Sequence, residues 1–334
     1  MHHSHSSGSS YKKHGRKTLS HTKNLCDFAI LESSMLLFGV TNVLGKIEVI
    51  NLKTFRRVKL INVTCNETAP SRIINRVEIH TNSRTVCCLQ CLGLTQITIF
   101  IWNLTKNTAA ILPFEYISSA ICFTFFHDYL LTAGSSSRIR FWELPSGDLV
   151  DQISFNLNSI SFVQLKASEK RNILYCLEHT SNKIWVVNLL TKQLLLTLGL
   201  GGTSSFMELL PSGKLVTISN QDKCLKFWET GPVGNGKLDM KVEFSKNVEM
   251  FSNFTVLMEN EGNYVWMEKN ANGLKICRRS GSKQCLESLS VKWNVKNFVM
   301  LPVKRVGSKR WLILHTGYNI KVFSLQFLKE LGCN

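Results

Sequence analysis

The sequence predicts an all-β chain, a seven-bladed β-propeller built from four-stranded antiparallel units. Three observations predict it. Strand-like segments with period-two alternation recur and end in a polar residue before a turn: KIEVIN, TIFIWN, RIRFWE, KIWVVN, CLKFWE, NYVWME and NIKVFS. Their closing residues, Asn51, Asn103, Glu143, Asn188, Glu229, Glu268 and Ser324, are spaced 52, 40, 45, 41, 39 and 56 apart. The residues two and four before each closing residue are apolar in all seven segments.

The chain opens with MHHSHSSGSSYKKHGRK, whose Ser, Gly and His content cannot bury enough surface to offset the entropy of ordering. Residues 1–17 are therefore expected to form a disordered, basic, His/Ser-rich tail, 18–331 a single ring of sheets, and 332–334 a C-terminal end. Within the ring, the slot one before each anchor is also large and apolar: Ile50, Trp102, Trp142, Val187, Trp228, Met267 and Phe323. A strand with one face wholly buried and the other buried only at its end suits a sheet stacked between two similar sheets. Hydrophobic partners precede the anchor strands, among them MLLFGV, YLLTAG, ILYCLE, KLVTIS and RWLILH, and further strands such as RRVKLINV and GDLVDQISF follow them.

HDYLLTAGSSSRIRFWELPSGDLVDQI, from His127 to Ile153, and LLPSGKLVTISNQDKCLKFWET, from Leu209 to Thr230, resemble the second and third strands of WD40 repeats. IWNLTKNTAAIL and WVVNLLTKQLLLTL are weaker echoes. Asn103, Glu143 and Glu229 stand where the family has the aspartate of its Trp-Asp pair, and Asp222 resembles its turn aspartate. Trp102, Trp142 and Trp228, sharing one slot, read as structural core residues rather than base-stacking aromatics. The resemblance spans roughly 18–331 and implies that an N-terminal strand closes the last blade. Lys17 to His21 would supply it, with QFLKEL near the C-terminus as a rival. It also implies that partners dock on the face bearing the turns between second and third strands. Inter-blade insertions are expected on that face at Asn62 to Arg76 and Ser280 to Asn294. The candidate partner-binding residues are accordingly Lys46, Arg72, Arg76, Arg138, Lys183, Lys283 and Lys292.

Motifs for chemistry fail on inspection. GPVGNGKL has the glycine and lysine spacing of a phosphate loop, but Leu238 occupies the Ser/Thr position and no helix follows, so it reads as a hairpin turn. Gly199, Gly201 and Gly202 lack the third glycine of a dinucleotide fingerprint. Cys88 and Cys91 have a metal or redox spacing, yet no second pair follows and the segment alternates like a buried strand. His80, His127, His179 and His315 fall at strand ends or turns, where structural hydrogen bonds are expected. The reading is non-enzymatic, with no cofactor and no metal.

The 11 cysteines are odd in number and mostly isolated among apolar neighbours, which suits a reducing compartment. No apolar run approaches the roughly 20 residues that cross a bilayer, and no signal peptide opens the chain. A nuclear or cytoplasmic protein follows, not secreted and without a membrane partner, whose sequons at Asn62, Asn66, Asn103 and Asn253 are chance.

The net charge is +17, from 40 basic and 23 acidic residues. Lys12, Lys13, Arg16, Lys17 and Lys23 supply five of those charges before the first acid, Asp27, which leaves 17 − 5 = +12 on the ring. Basic clusters at Arg56/Arg57/Lys59, Arg278/Arg279/Lys283 and Lys304/Arg305/Lys309/Arg310 sit near predicted turns. An electropositive surface favours acidic partners. The leading reading is a scaffold that joins protein partners with acidic surfaces in a multi-subunit complex, nuclear by its basic charge; KKHGRK is too short a basic run to carry that reading by itself. The alternative is a nucleic-acid-binding subunit of an RNA-processing or ribosome-assembly complex, and no homo-oligomer is predicted.

Overall fold

The structure, a computed structural model, describes residues 17–19, 25–41, 45–54, 56–63, 72–92, 96–112, 121–155, 160–179, 181, 183–200, 204–210, 212–219, 224–234, 237–247, 253–260, 263–270, 273–280, 283–291, 297–301, 311–315 and 320–324. Its strands group into seven four-stranded antiparallel sheets. Sheet 1 holds Leu25–Leu31, Leu36–Thr41, Lys46–Asn51 and Arg56–Asn62, and sheet 2 holds Arg72–His80, Thr85–Leu92, Gln96–Asn103 and Thr108–Ile111. Sheet 3 holds Ile121–Phe126, Tyr129–Gly134, Arg138–Glu143 and Leu149–Ser154, and sheet 4 holds Phe162–Ser168, Ile173–Glu178, Lys183–Asn188 and Leu194–Gly199. Sheet 5 comprises Ser204–Leu209, Leu215–Ser219, Cys224–Gly234 and Lys237–Asn247; sheet 6 comprises Asn253–Asn260, Asn263–Asn270, Gly273–Ser280 and Lys283–Val291. Sheet 7 joins the two ends of the chain, pairing Asn297–Leu301, Trp311–His315 and Ile320–Ser324 with Lys17–Leu19 at its edge. Lys17 and Leu19 face Val322 and Ile320, so Lys17–Leu19, within the expected Lys17 to His21, pairs at the edge of the last sheet and starts one residue inside the expected tail, while QFLKEL lies outside the described residues.

First strands are innermost: those of sheets 1 and 2, 3 and 4, 4 and 5, and 6 and 7 lie against each other. Fourth strands face out, and Arg56 to Leu60 are all exposed. Between sheets lies the core, because the alternating apolar side chains of one third strand meet the inner faces of the next sheet. Phe38 and Val49 of sheet 1 pack with Val77, Val86 and Trp102 of sheet 2. Ile139 and Phe141 of sheet 3 pack with Phe162, Cys176 and Trp185 of sheet 4. Aromatic rings meet edge to face there, with Phe155 and Trp185 centroids 5.4 Å apart, the arrangement their quadrupoles favour.

The polar anchors close the hairpins between third and fourth strands. Asn51, Asn103 and Asn188 each accept two backbone N–H bonds through Oδ1, from the residues two and three further on, at 2.8 to 3.0 Å. An asparagine thus mimics a turn of backbone. Four residues after the anchor the chain turns left-handed, at Asn107, Gly147 and Lys192 (φ 55°, 82° and 58°). The ladder shifts register at the residue before the anchor in sheets 1, 3, 4 and 5. These are the marks of a bulged hairpin. Asn103 is buried and its amide is taken up in this way.

Two sequence expectations are corrected here. NYVWME belongs to the second strand of sheet 6, and the third is GLKICRRS. With Arg278 as the sixth anchor, Leu274, Ile276 and Cys277 fill the slots four, two and one before it, and the last spacings become 278 − 229 = 49 and 324 − 278 = 46. The Ser280 to Asn294 insertion therefore dissolves into an outer strand. Likewise Asn62 to Arg76 is not all loop. Part of the surplus in sheet 2 lies in long first and second strands, Arg72–His80 and Thr85–Leu92.

Candidate functional site

Antiparallel order gives the ring two distinct faces. Third strands begin at what we call the entry face, beside the second-to-third turns and the links to the next sheet. They end at the exit face, beside the first-to-second and third-to-fourth turns. Lys46, Arg138 and Lys183 open the third strands of sheets 1, 3 and 4 at the entry face, opposite Asn62, Ser154 and Gly199. Arg138 and Lys183 are exposed and Lys46 is half-buried. Arg72 opens the innermost strand of sheet 2 opposite Leu92, on the same face. Among the described residues, sheets 1 to 4 thus each begin a strand at this rim with a basic residue.

The other candidates lie elsewhere. Lys283 opens the fourth strand of sheet 6 opposite Ser280, at the exit face, because the sixth anchor belongs one strand later. Lys292 and Asp222 lie outside the described residues. Arg76 lies within the innermost strand of sheet 2 rather than in a loop. Its guanidinium binds the Glu78 carboxylate and stacks on the Phe123 ring, 4.8 Å from the centroid, joining sheet 2 to sheet 3. Burial works against that charge, but Glu78, with smaller help from Cys122 and Asp27, holds the Arg76 pKa above its ordinary value.

Arg76 belongs to a pattern that the sequence did not reveal. The innermost strands of sheets 1, 2, 4 and 5 carry a register shift just before Asp27, Arg76, Gln164 and Phe206. At two of these positions the side chain reaches the backbone of the next sheet. Asp27 accepts the Val77 N–H at 2.9 Å, while Gln164 donates to the Met207 carbonyl at 2.7 Å and accepts the Met207 N–H at 2.9 Å. Lys166 and Glu208 add an ion pair across the same junction as Gln164. Burial pushes the Asp27 carboxyl up to about 6, against the opposing pull of its bonds from Val77 and Phe28 and of nearby Arg76.

Tryptophans in the slot before the anchor are buried as expected: Trp102, Trp142 and Trp228. Trp142 and Trp228 donate Nε1–H to Thr132 and Thr217 of the second strand, each at 2.8 Å. Those threonines are the unforeseen partners. Each stands two residues past the one facing its tryptophan, Leu130 or Leu215, so the LxT spacing in LLTAG and LVTIS is the signal that marks them. In sheet 4, Trp185 donates instead to the buried Glu178 carboxylate, at 2.8 Å.

The remaining polar groups are tied into structure. His80 Nδ1 lies 2.7 Å from Ser83 Oγ, which also meets Thr85 Oγ1 at 2.8 Å, and the imidazole packs on Phe125. Burial depresses the His80 pKa despite Asp128 and Glu169, so the ring is neutral and ties a turn. Cys87, Cys88, Cys122 and Cys176 are buried free thiols, and burial raises the pKa of each, Cys122 to about 12. Thiols held neutral are poor nucleophiles and poor metal ligands. Among the described residues no three His, Cys, Asp or Glu side chains gather to hold a metal ion, and no helix is long and apolar enough to cross a membrane.

This fold has a counterpart among solved structures. The β-propeller domain of Myceliophteria thermophila Cps50 (Swd1) superposes with a TM-score of 0.66, covering 92% of this chain and 99% of that one at 11% identity. This chain folds as a β-propeller. No family model and no curated protein matches its sequence. At that identity the likeness speaks for the fold of the propeller, and its surface must be read from its own residues.

Proposed function

We propose that this propeller is a non-enzymatic scaffold that holds protein partners with acidic surfaces on its entry face, within a multi-subunit nuclear complex. The observation that carries the reading is the rim itself: Lys46, Arg72, Arg138 and Lys183, one from each of four consecutive sheets, on one face. A rigid ring supports such a surface without rearrangement, and charge complementarity steers and orients an acidic partner. The net charge of +17 and the buried, neutral thiols fit a binding role better than a catalytic one. The compartment rests on the basic charge, and the assembly on the likeness in fold.

The test is affinity purification of the full chain and of an Arg138→Glu/Lys183→Glu variant, read by quantitative mass spectrometry. Both side chains are exposed, so the variant should keep its melting temperature within a few degrees while losing most of the co-purified proteins. Undiminished recovery of the same proteins would refute the rim assignment.

A further inference from the structure

The positive charge is not spread around the ring. Residues 113–291, which build sheets 3 to 6, hold 18 basic and 17 acidic side chains, for a net charge of +1. Residues 1–112 hold 14 and 5, and residues 292–334 hold 8 and 1, so these two segments carry 9 + 7 = +16. Lys17–Leu19 pairs with Ile320–Ser324, which brings the two segments together as one arc of sheets 7, 1 and 2. With the five cations before Asp27 set apart, these segments still carry 16 − 5 = +11 of the ring's +12, so nearly all of its excess belongs to the segments that build one side of the propeller.

On that arc Lys46 and Arg72 stand at the entry face, and the cations described as exposed gather at the exit face and along the outer edge. Lys53 and Lys106 lie in the third-to-fourth turns of sheets 1 and 2, Arg84 in the first-to-second turn of sheet 2, and Arg56 and Arg57 open the outer strand of sheet 1. All five are exposed. Two bonds stitch the sheets together there: Lys59 Nζ reaches Asn107 Oδ1 at 3.2 Å and Arg84 reaches Ser34 Oγ at 3.4 Å. Acids nearby are few. Glu48 is half-buried beside Arg57, Glu32 lies in the first-to-second turn of sheet 1, and the sequence from 49 to 66 and from 79 to 114 has none.

We infer that the exit face and outer edge of sheets 1 and 2 form a second binding surface, one that takes the phosphate backbone of a nucleic acid irrespective of its sequence. The inference does not rest on the entry-face scaffold and concerns the opposite face. A duplex presents a phosphate charge about every 1.7 Å of its axis, and neutralising those charges releases condensed counterions. An excess of 16 − 5 = +11 in the segments that build three consecutive sheets, counted without the five cations before Asp27, suits that extended charge. A protein partner would instead be expected to seat aromatic anchors in a desolvated centre. The large apolar side chains exposed among the described residues are aliphatic, such as Val58, Leu60 and Ile111, and Trp102 lies buried beneath Lys59. Among the described residues none of the exposed large apolar side chains is aromatic, so the surface they form offers no stacking platform for bases and favours contact with the backbone.

The test is fluorescence anisotropy with a labelled duplex of about 20 base pairs over a range of salt, with poly-L-glutamate as competitor. The full chain is compared with a variant carrying Lys53→Glu, Arg56→Glu, Arg57→Glu and Lys106→Glu. A control makes the same charge change on the other arc: Arg138→Glu, Lys170→Glu, Lys183→Glu and Lys192→Glu. The first variant should lose tenfold or more in affinity at about 0.1 M salt and flatten the log–log salt slope by about 3 to 4, while the control loses less than threefold. The Lys→Gln and Arg→Gln versions should lose less, in the same order, and serve if a reversal variant fails to fold. Equal losses in the two variants would overturn the inference. So would a duplex that stays unbound at about 0.05 M salt, or poly-L-glutamate competing as well as unlabelled duplex, which would mark an acidic protein segment as the ligand.

Discussion

Sheets 1 and 2 and sheets 3 and 4 are built alike and present different surfaces. Both pairs bury alternating apolar residues of their third strands, turn their hairpins at a polar anchor and place cations at the entry face. Their exit faces diverge. Sheets 1 and 2 expose Lys53, Arg56, Arg57, Arg84 and Lys106 there, whereas sheets 3 and 4 expose Asp128, Glu143, Asp148 and Glu169 beside Lys170 and Lys192. Lys192 is moreover paired with Asp151. Buried positions set the repeat, exposed turn positions set what each arc can hold, and the two vary independently.

If packing is common to both pairs, breaking it should cost the same in either. Trp142→Ala in sheet 3 and Trp102→Ala in sheet 2 should each lose about 3 to 5 kcal/mol in denaturant unfolding, as truncations of buried aromatics. Trp142→Phe, which keeps the ring but strands the buried Thr132 hydroxyl, should cost about 1 to 3 kcal/mol. A loss in sheet 2 far below that in sheet 3 would show that the two pairs are not packed alike.

The junctions themselves differ in charge: Asp27 bridges sheets 1 and 2, whereas neutral Gln164 bridges sheets 4 and 5. A carboxyl whose folded pKa is raised binds its proton more tightly in the folded state, so its contribution to stability falls as pH rises. For Asp27 the fall runs from its unfolded value near 4 up to about 6. Asp27→Asn should thus gain on the parent chain across that window, by about 3 kcal/mol, and hold the gain above it. Melting curves from pH 4 to 8 read this, and a pH-independent difference would sink it. Asn51→Ala and Asn188→Ala, each removing a pair of turn bonds, should cost about 1 kcal/mol, equally in sheets 1 and 4. Smallest of all, Lys170→Glu alone should shift stability by under about 0.5 kcal/mol, since the side chain is exposed on an arc of balanced charge.

Much of this was legible in the sequence because the third strand of a stacked sheet is constrained on both faces. That is why Val49, Ile101, Phe141, Val186, Phe227 and Val322 could be aligned by counting back from a polar residue. Sheet 6 defeated the count for a physical reason. Its true third strand, Gly273–Ser280, carries the cation Arg278 at the anchor slot and lacks a tryptophan, while NYVWME before it alternates just as well. Arg76 was misplaced because extra residues in a repeat lengthen strands as readily as loops. The bridges of Asp27 and Gln164 follow bulges and join residues 50 and 43 positions apart, so they depend on which sheets are neighbours. For the surface, Lys46, Arg138 and Lys183 were legible because their slot is fixed relative to the anchor. The gathering of charge on one arc was not, since it needs the pairing of Lys17–Leu19 with the last sheet to bring the ends together.

The most direct measurement is a crossed comparison of the entry-face variant Arg138→Glu/Lys183→Glu with the exit-face variant Lys53→Glu/Arg56→Glu/Arg57→Glu/Lys106→Glu. Each is assayed both for recovered proteins and for duplex affinity. Two separate surfaces predict that the first variant loses proteins and keeps the duplex, and that the second does the reverse. Parallel losses of both ligands in both variants would contradict this and leave one undivided electrostatic surface.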